Sequence, residues 1–396
     1  MCLVSVLSLG LTACGLVGGM TRQPAGPPTP IASADLTGVA PGSVVTAMSA
    51  PAVETIVNSG RVARITYRST DANTGQPTVV SGIVAVPADT PPADGWPVVA
   101  MGHGTTGMQQ PCAPSLSPNL SDLAPLVAQI VEAGFAVTVA DYQGLGAPGV
   151  HPYLDSHTAG YNVIDSVRAL RATFPGVSSR WSGFGLSQGG GAVWSADEQS
   201  ADYAPELDLV GAVAMAPTAD VSGAVDKAMD NRLTEEQTVP FLWILASLAQ
   251  IHPDFNLDDY RRGFAAQNWG ALLACDGSGT AAKRTSLARK IPPSDISPSS
   301  AQVAARLRGL IEGWAVPQRM LNAPLSVVYG TSDKFVDYQW TERAIDRACD
   351  LGGTVLVTAE SGKGHADLDT LSQLEWLRGR FAGESVENGC PTRKPR

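Results

Sequence analysis

The sequence predicts a protein of the α/β class, with a mostly parallel central sheet, helices on both faces and an inserted helical cap. Short apolar runs alternate with amphipathic helical patterns from about residue 60 onward, as in sheets whose two faces are covered. A Gly-rich turn containing Ser187 joins one of these runs to a helix. Residues 218–322 interrupt the alternation with helical patterns and prolines but no clear strand, which indicates a second layer of structure.

The individual elements follow from local patterns of apolar residues. Apolar runs predict an antiparallel pair at 64–67 and 81–86, then buried strands at 97–101, 135–140, 180–186, 209–215, 325–329 and 354–357. Helical spacing predicts helices at 120–133, which Gly134 closes, and at 162–173, and a run of small residues predicts another at 192–199. Trp181 and Trp194 are expected in the core.

Composition and charge exclude several classes of protein. The chain of 396 residues has a formal net charge of −10, which argues against nucleic-acid binding because phosphate neutralisation needs basic patches. Hydrophobic residues make up 44% and charged residues 16%, which excludes overall disorder. No apolar run reaches the roughly 18 to 20 residues that a transmembrane helix needs.

Residues 1–14 are predicted to be a signal peptide with a lipobox. The apolar stretch 3–13 is short and ends in Leu11-Thr12-Ala13-Cys14, an apolar and two small residues before a cysteine. Lipidation of Cys14 would attach the exported protein to a membrane, and plain secretion is the alternative. A signal peptide has positive charge before its apolar stretch, but no Lys or Arg precedes Cys14. A start upstream of Met1 therefore stays open.

Three more segments complete the predicted organisation. Residues 15–50 are rich in Pro, Gly, Ala, Ser and Thr and are expected to form a flexible tether. Residues 51–390 are expected to fold as one domain that includes the cap, and residues 391–396 form a short basic tail.

Of the six cysteines, four lie beyond the signal segment, an even number that suits an oxidising compartment and allows three disulfide pairings. No cysteine spacing indicates zinc.

The segment Gly185-Leu186-Ser187-Gln188-Gly189 has the G-x-S-x-G pattern of a nucleophile elbow. It follows a predicted strand and precedes a helix, which is the context that such an elbow requires. Gly185 and Gly189 leave room for the sharp turn that exposes the hydroxyl of Ser187. The backbone N–H of Gln188, at the start of the helix, is then expected to stabilise an oxyanion.

A serine hydroxyl needs a base and an acid, and both are expected after the serine in the chain. His103, His151 and His157 come too early and His252 lies in the cap, whereas His365 follows the last strand and is the predicted base. Asp333 follows the preceding strand and is the predicted acid. Its rivals are Asp337, a helix-start residue, and Asp367 and Asp369, which lie too close to His365 in sequence.

The loop after strand 97–101 is expected to supply the second oxyanion donor. It reads Gly102-His103-Gly104-Thr105-Thr106-Gly107, and we expect the N–H of Thr105, or failing that of Thr106, to face the serine. His103 is expected to pack the turn. Asp141 and Tyr142 follow another strand, where they could line the pocket or only shape their loop.

Together these residues resemble the secretory lipase family of α/β-hydrolases, the fungal lipase A type and its bacterial relatives. The resemblance covers roughly residues 60 to 390, and its segments are 185–189, 140–144, 112–115, 203–212 and Gly364-His365. It implies hydrolysis of carboxyl esters by a Ser-Asp-His triad and a helical lid at 218–322. It further implies disulfides Cys112–Cys275 and Cys349–Cys390. The chain departs from fungal members in having Thr105 and Thr106 where they carry an acidic residue.

The sequence therefore predicts a secreted serine hydrolase that cleaves lipid or small carboxyl esters through an acyl-enzyme, either a lipase or a carboxylesterase. Ser187 attacks, His365 transfers the proton and Asp333 orients His365, and no metal or organic cofactor is needed. A peptidase of the same fold is the first alternative. A non-enzymatic binding module is the second.

Overall fold

The computed structural model describes residues 26–390 except 59 and 276–279. A nine-stranded sheet has the order β1-β2-β3-β5-β4-β6-β7-β8-β9. The strands are β1 (Val44–Ser49), β2 (Gly60–Thr70), β3 (Pro77–Pro87), β4 (Trp96–Gly102), β5 (Ala136–Ala140), β6 (Val177–Leu186), β7 (Asp208–Met215), β8 (Leu325–Gly330) and β9 (Val355–Glu360). Strands β1, β2, β3 and β5 pair antiparallel, and all pairs from β5 through β4 to β9 are parallel.

Helices cover both faces of the sheet and form the cap. They are α1 (Pro51–Glu54), α2 (Ala124–Glu132), α3 (Ser156–Thr173), α4 (Gln188–Tyr203), α5 (Ala224–Met229), α6 (Glu235–Ile251), α7 (Gly263–Gln267), α8 (Trp269–Leu273), α9 (Thr280–Ala288), α10 (Ala301–Trp314), α11 (Tyr338–Asp350) and α12 (Thr370–Phe381). Short 3-10 turns lie at Gln110–Cys112, Pro114–Leu116, Leu257–Asp259 and Pro293–Asp295.

Three apolar clusters divide the core by layer. One face of the sheet packs on α3, α4 and α11, where Trp181 and Trp194 are fully buried as predicted. The other face packs on α1, α2 and α12. Helices α5 to α10, between β7 and β8, enclose a separate apolar cluster of their own. Every residue of β5 and β8 is buried, as expected of strands covered on both faces. The predicted α/β class with an inserted helical cap is therefore confirmed.

Two helices begin elsewhere than the sequence predicts, for local reasons. Helix α2 starts at Ala124 because Leu120, Ser121 and Asp122 have positive φ values of 56°, 52° and 71°. Such values belong to the left-handed region, which a right-handed helix cannot include. Helix α3 begins at Ser156 because the Asp155 carboxylate accepts a hydrogen bond from the N–H of His157 and caps the helix.

The prediction of a flexible tether at 15–50 is wrong for the carboxyl-terminal part of that segment, which is folded against the sheet. Val44–Ser49 is the edge strand β1, the N–H of Ile31 donates to Ala47 O over 3.0 Å, and that of Asp35 donates to Ala172 O over 2.8 Å. Val44 and Ala47 are buried whereas Val45 and Thr46 are exposed, as suits a strand covered on one face. The predicted signal segment with Cys14, the rest of the tether to residue 25 and the tail 391–396 lie outside the described residues.

The parallel strands bring the loops that carry chemistry to one edge of the sheet. Gly102 of β4 pairs with Ala140 of β5 and with Gly185 of β6, and Gly330 of β8 pairs with Glu360 of β9. The segments that follow these strands therefore converge above the carboxyl edge, where open α/β sheets bind ligands. Between residues 26 and 390, leaving out 59 and 276–279, no helix combines the length and apolarity that crossing a membrane requires.

Candidate active site

Ser187 stands on a strained turn between β6 and α4. Its φ and ψ angles are 59° and −118°, and its N–H donates to Met215 O over 2.8 Å. A Cβ on Gly185 would lie 2.1 Å from Gly189 O, and one on Gly189 would lie 1.9 Å from Gly102 O. Only glycine fits both positions, so the G-x-S-x-G pattern is what allows strand, turn and helix to approach so closely.

His365 and Asp333 form a hydrogen-bonded pair. The distance from His365 Nδ1 to Asp333 Oδ2 is 2.6 Å, and because a carboxylate only accepts, Nδ1 carries the proton. The other oxygen, Asp333 Oδ1, accepts from the N–H groups of Phe335 at 2.7 Å and Val336 at 3.0 Å. The Asp333 side chain is 2% exposed and that of His365 14%. These bonds fix the orientation of the imidazole and direct Nε2 to the role of proton acceptor.

The rival carboxylates have other partners. Both oxygens of Asp337 lie 2.9 Å from Lys227 Nζ, and Oδ1 also accepts from Gln237 Nε2. Asp367 accepts from the N–H of Gly364 over 2.7 Å, and Asp369 caps α12 through the N–H of Ser372. The structure thus brings Asp333, the residue predicted from chain order, against His365.

A cavity of about 590 Å³ opens above the carboxyl edge of the sheet. Ser187 and His365 lie in its wall, together with Thr105 and Thr106. The cap contributes apolar side chains from α6 and α9, namely Val239, Phe241, Trp243, Ile244 and Ala288, and Trp340 of α11 adds to this part of the lining. Charged side chains, among them Glu235, Glu236 and Arg284, line another part of the wall. The cavity therefore offers an apolar surface for the hydrocarbon part of a ligand beside polar and charged groups.

The loop after β4 lies next to Ser187. A Cβ on Gly104 would lie 4.0 Å from Ser187 Cβ. The Thr105 hydroxyl lies 2.9 Å from Tyr153 Oη, whereas Thr106 Oγ1 is buried without a hydrogen-bond partner. Thr105 and Thr106 and the first residue of α4, Gln188, are therefore near the hydroxyl where oxyanion donors are expected.

His103 packs the turn, as predicted. Its Nδ1 lies 2.6 Å from Gly104 O, and its ring stacks on Tyr142 with centroids 4.3 Å apart. The Tyr142 hydroxyl donates to His103 O over 3.0 Å. Burial lowers the pKa of His103 below its usual value, although the nearby Asp141 opposes that shift.

The suggestion that Asp141 and Tyr142 line the pocket is wrong. Both are fully buried, and neither belongs to the cavity wall. Asp141 Oδ2 accepts from the Ser81 hydroxyl over 2.5 Å, and Oδ1 accepts from the N–H of Ser115 over 2.8 Å. Burial raises the pKa of Asp141, and the bonds from Ser115 and Ser81 oppose that rise. The two residues stabilise their loops through buried contacts, which is the alternative that the sequence left open.

Both disulfides implied by the resemblance are present. Cys112–Cys275 joins the turn after the expected oxyanion loop, residues 102–107, to the stretch that follows cap helix α8, and Cys349–Cys390 joins α11 to the carboxyl end of the described chain. A Cβ on Gly107 would lie 2.3 Å from Cys112 Sγ, so the oxyanion loop rests directly on the first disulfide.

Sequence reasoning missed the segment at 151–153. His151 is out of order as a base, and the structure holds it neutral because burial lowers its pKa to about 4. Its Nε2 lies 3.2 Å from Gln188 Nε2, and Tyr153 lines the cavity. No local signal marks these residues, since their partners Thr105, Gln188 and Ser247 lie tens of residues away in the chain.

Comparisons with known proteins find similarity to lipases. The model of a family described as secretory lipase matches residues 121–267. A Mycobacterium tuberculosis protein named "probable inactive lipase" is 26% identical over 347 residues, which cover 82% of this chain and 74% of that protein. Lipase A of Arthroderma benhamiae is 24% identical over 362 residues, or 83% and 72% of the two chains. Candida antarctica lipase A in its closed state has a TM-score of 0.72 at 18% identity, covering 90% of this chain and 86% of that one.

The fold is that of an α/β-hydrolase with an inserted cap. The resemblance to the secretory lipase family is confirmed, and with it the enzyme class, a carboxylic ester hydrolase.

Proposed function

We propose that this protein is an exported serine hydrolase that cleaves carboxyl esters through a covalent acyl-enzyme. The observation that carries the proposal is the 2.6 Å bond between His365 Nδ1 and Asp333 Oδ2 beside the cavity that Ser187 lines. A serine on an elbow, a base within the same cavity and a buried acid behind the base are what nucleophilic acyl transfer requires.

The proposed reaction has two halves. Ser187 Oγ attacks the ester carbonyl carbon while His365 Nε2 takes the hydroxyl proton, and the negative charge moves to the carbonyl oxygen. The backbone N–H groups of Gln188 and Thr105 stabilise that oxyanion. Collapse breaks the ester bond, and the alcohol leaves with the proton from His365. Water, deprotonated by His365, then attacks the acyl carbon, and the bond to Ser187 Oγ breaks as His365 returns the proton to that oxygen and the carboxylic acid leaves.

The apolar lining of the cavity favours an acyl chain as the bound portion of a lipid or small ester substrate. Phe241, Trp243 and Ile244 of α6 offer the aliphatic and aromatic surface that such a chain would bury. Arg284 also lines the cavity.

Export and membrane attachment belong to the same proposal. Cys14 in the lipobox would be lipidated and become the first residue of the mature protein, with plain secretion as the alternative. Mass spectrometry of the mature amino terminus decides between the two, since a terminus without lipid at Cys14 contradicts anchoring.

The first test is the rate of hydrolysis of p-nitrophenyl esters from acetate to palmitate, measured for the native enzyme and Ser187→Ala. We expect Ser187→Ala to lose at least about 10⁴-fold in kcat because no other group replaces the nucleophile. Ser385→Ala, an exposed serine, is the matched control and should keep full activity. A preference for long chains would define a lipase, and a preference for acetate or butyrate would define a carboxylesterase.

Two further measurements on the same enzyme separate the alternatives. Turnover of aminoacyl p-nitroanilides without turnover of esters would indicate a peptidase. The similarity to the relative named "probable inactive lipase" is the reason for testing a non-enzymatic binding role. An unreactive Ser187, not labelled by a fluorophosphonate, would favour that reading and contradict the proposal.

A further inference from the structure

Two side chains of the segment His151-Pro152-Tyr153 each reach one side of the expected oxyanion hole. The Tyr153 hydroxyl lies 2.9 Å from Thr105 Oγ1, and His151 Nε2 lies 3.2 Å from Gln188 Nε2. Thr105 and Gln188 are the residues whose backbone N–H groups are proposed to bind the oxyanion. One short segment therefore contacts the side chains of both residues, although they lie more than 80 residues apart in the chain.

The tautomer of His151 is fixed by its surroundings. Its Nδ1 lies 2.8 Å from Gln143 O, and because a carbonyl oxygen only accepts, Nδ1 carries the proton. Nε2 is then the acceptor for the Gln188 amide group. Burial lowers the pKa of His151 to about 4, so the ring stays neutral and keeps both bonds at neutral pH.

The cap holds this segment in place. The Ser247 hydroxyl of α6 donates to His151 O over 2.7 Å and accepts from the N–H of Tyr153 over 2.9 Å. Ser247 is fully buried. The Tyr153 ring also packs edge-on against Trp243 of α6, with centroids 5.6 Å apart. Helix α6 thus fixes the backbone and the ring of the segment that contacts the oxyanion loop.

We infer that Tyr153 and His151 are positioning residues that hold the Thr105 and Gln188 donors at the oxyanion hole, and that Ser247 links their placement to cap helix α6. The inference rests on the proposed function. Oxyanion donors act only when they are held at the correct distance before the charge develops, and a misplacement of about 1 Å can cost about 100-fold in rate. A cap that moved away from this segment would loosen both donors together.

The test compares Tyr153→Phe, Thr105→Val, the double variant and Thr105→Ser. Tyr153→Phe removes only the hydroxyl and keeps the ring against Trp243, and Thr105→Val removes the other hydroxyl while keeping the amide. Tyr161→Phe, on α3 and outside this cavity, is the matched control. The readouts are kcat and KM on a p-nitrophenyl ester, the melting temperature, and the second-order rate constant for labelling of Ser187 by a fluorophosphonate, from which fluoride leaves.

We expect Tyr153→Phe and Thr105→Val each to lower kcat and the labelling rate by about 10-fold to 100-fold, with KM changed by less than about twofold. The double variant should lose no more than either single variant, because both break one contact. Thr105→Ser, which keeps a hydroxyl at this position, should recover most of the labelling rate that Thr105→Val loses. Ser247→Ala, which keeps all cavity side chains, should lower the labelling rate in the same direction.

Native kcat and labelling rate in Tyr153→Phe would overturn the inference, as would losses that multiply in the double variant. A lower melting temperature without a change in kcat would show a structural role only and would also overturn it. The proposed function fails separately: Ser187→Ala with native esterase activity contradicts the function, whereas equal labelling of native and Tyr153→Phe enzyme contradicts the inference alone. If Ser187 is not labelled at all, both fall.

Discussion

Asp333 and Asp337 lie four residues apart but differ in burial and in the group that each carboxylate contacts. Asp333 is 2% exposed and contacts an imidazole, whereas Asp337 is 26% exposed and forms an ion pair with the ammonium group of Lys227. The first carboxylate can orient His365 and stabilise its positive form during the reaction. The second ties the start of α11 to the cap helix α5. The two side chains therefore have different proposed roles, one in catalysis and one in structure.

Replacing each aspartate by asparagine should separate these roles. Asp333→Asn should lower kcat by about 10³-fold to 10⁴-fold because the amide can donate to His365 Nδ1 and favours the wrong tautomer. Asp337→Asn removes an ion pair and should change stability while leaving kcat within about threefold of the native value. Ester hydrolysis at saturating substrate, with melting temperatures for both variants, checks the prediction. Equal losses in kcat would contradict the assignment of the acid.

At this scale the sequence predicts residues whose roles follow from chain order or local pattern. Ser187, Asp333 and His365 follow the order that a nucleophile elbow implies. The role proposed for Tyr153 cannot be predicted from the sequence, because it depends on a contact with Thr105 and on Ser247, which lies 94 residues away. Asp141 shows the opposite error, since its position after a strand suggests the pocket, but its contacts with Ser81 and Ser115 place it beneath the loop.

At the scale of elements, the cap and the oxyanion loop are joined by a covalent bond. Cys112 lies just after the loop, and Cys275 follows α8 of the cap. The sequence predicts the elements that a local pattern marks, such as β6 and α4 on either side of the Gly-rich turn, and misplaces those that tertiary contacts define. Strand β1 is one such element, since it is an edge strand whose pairing with β2 cannot be read from its Pro- and Gly-rich neighbourhood.

The two disulfides should differ in their effect on activity. Replacing either cystine by serines should cost about 2 to 5 kcal/mol of stability, because the pairs close segments of 163 and 41 residues. Cys112→Ser with Cys275→Ser should also lower kcat well below the melting temperature, because the oxyanion loop rests on that bond. Cys349→Ser with Cys390→Ser is the matched control and should keep native kcat. If both double variants keep native kcat, the first disulfide serves stability alone.

At the scale of the whole molecule, two buried acids of α4 hold the segment by which the chain returns from the cap to the sheet. Asp197 Oδ1 accepts from the N–H groups of Asn322 at 2.8 Å and Ala323 at 2.9 Å. Glu198 Oε2 accepts from those of Gln318 at 3.0 Å and Arg319 at 3.3 Å. Burial raises the pKa of Asp197 to about 8 and that of Glu198 to about 7. The attachment of the cap to the sheet therefore includes two carboxyl groups that are protonated at mildly acidic pH.

The stability of the fold should fall as the pH rises because of these acids. A group whose folded pKa lies above its unfolded pKa stabilises the fold fully below the unfolded pKa, and that stabilisation is lost as the pH rises through the folded pKa. For Asp197 the interval runs from about 4, the unfolded pKa, to about 8. His151, whose folded pKa is about 4, acts oppositely and removes stability as the pH falls below about 6.5. Stability should therefore decline most clearly between about pH 6.5 and pH 8.

Asp197→Asn isolates the largest of these contributions. The variant keeps the oxygen that accepts from Asn322 and Ala323 but cannot ionise, so its melting temperature should depend less on pH than that of the native protein. The native advantage over Asp197→Asn should shrink steadily from pH 5 to about pH 8 and change little above that. Asp202→Asn, on the same helix with its side chain 84% exposed, is the control and should run parallel to the native protein. Parallel curves for Asp197→Asn and the native protein would mean that Asp197 is already ionised in the fold. The cap attachment would then not depend on pH through this group.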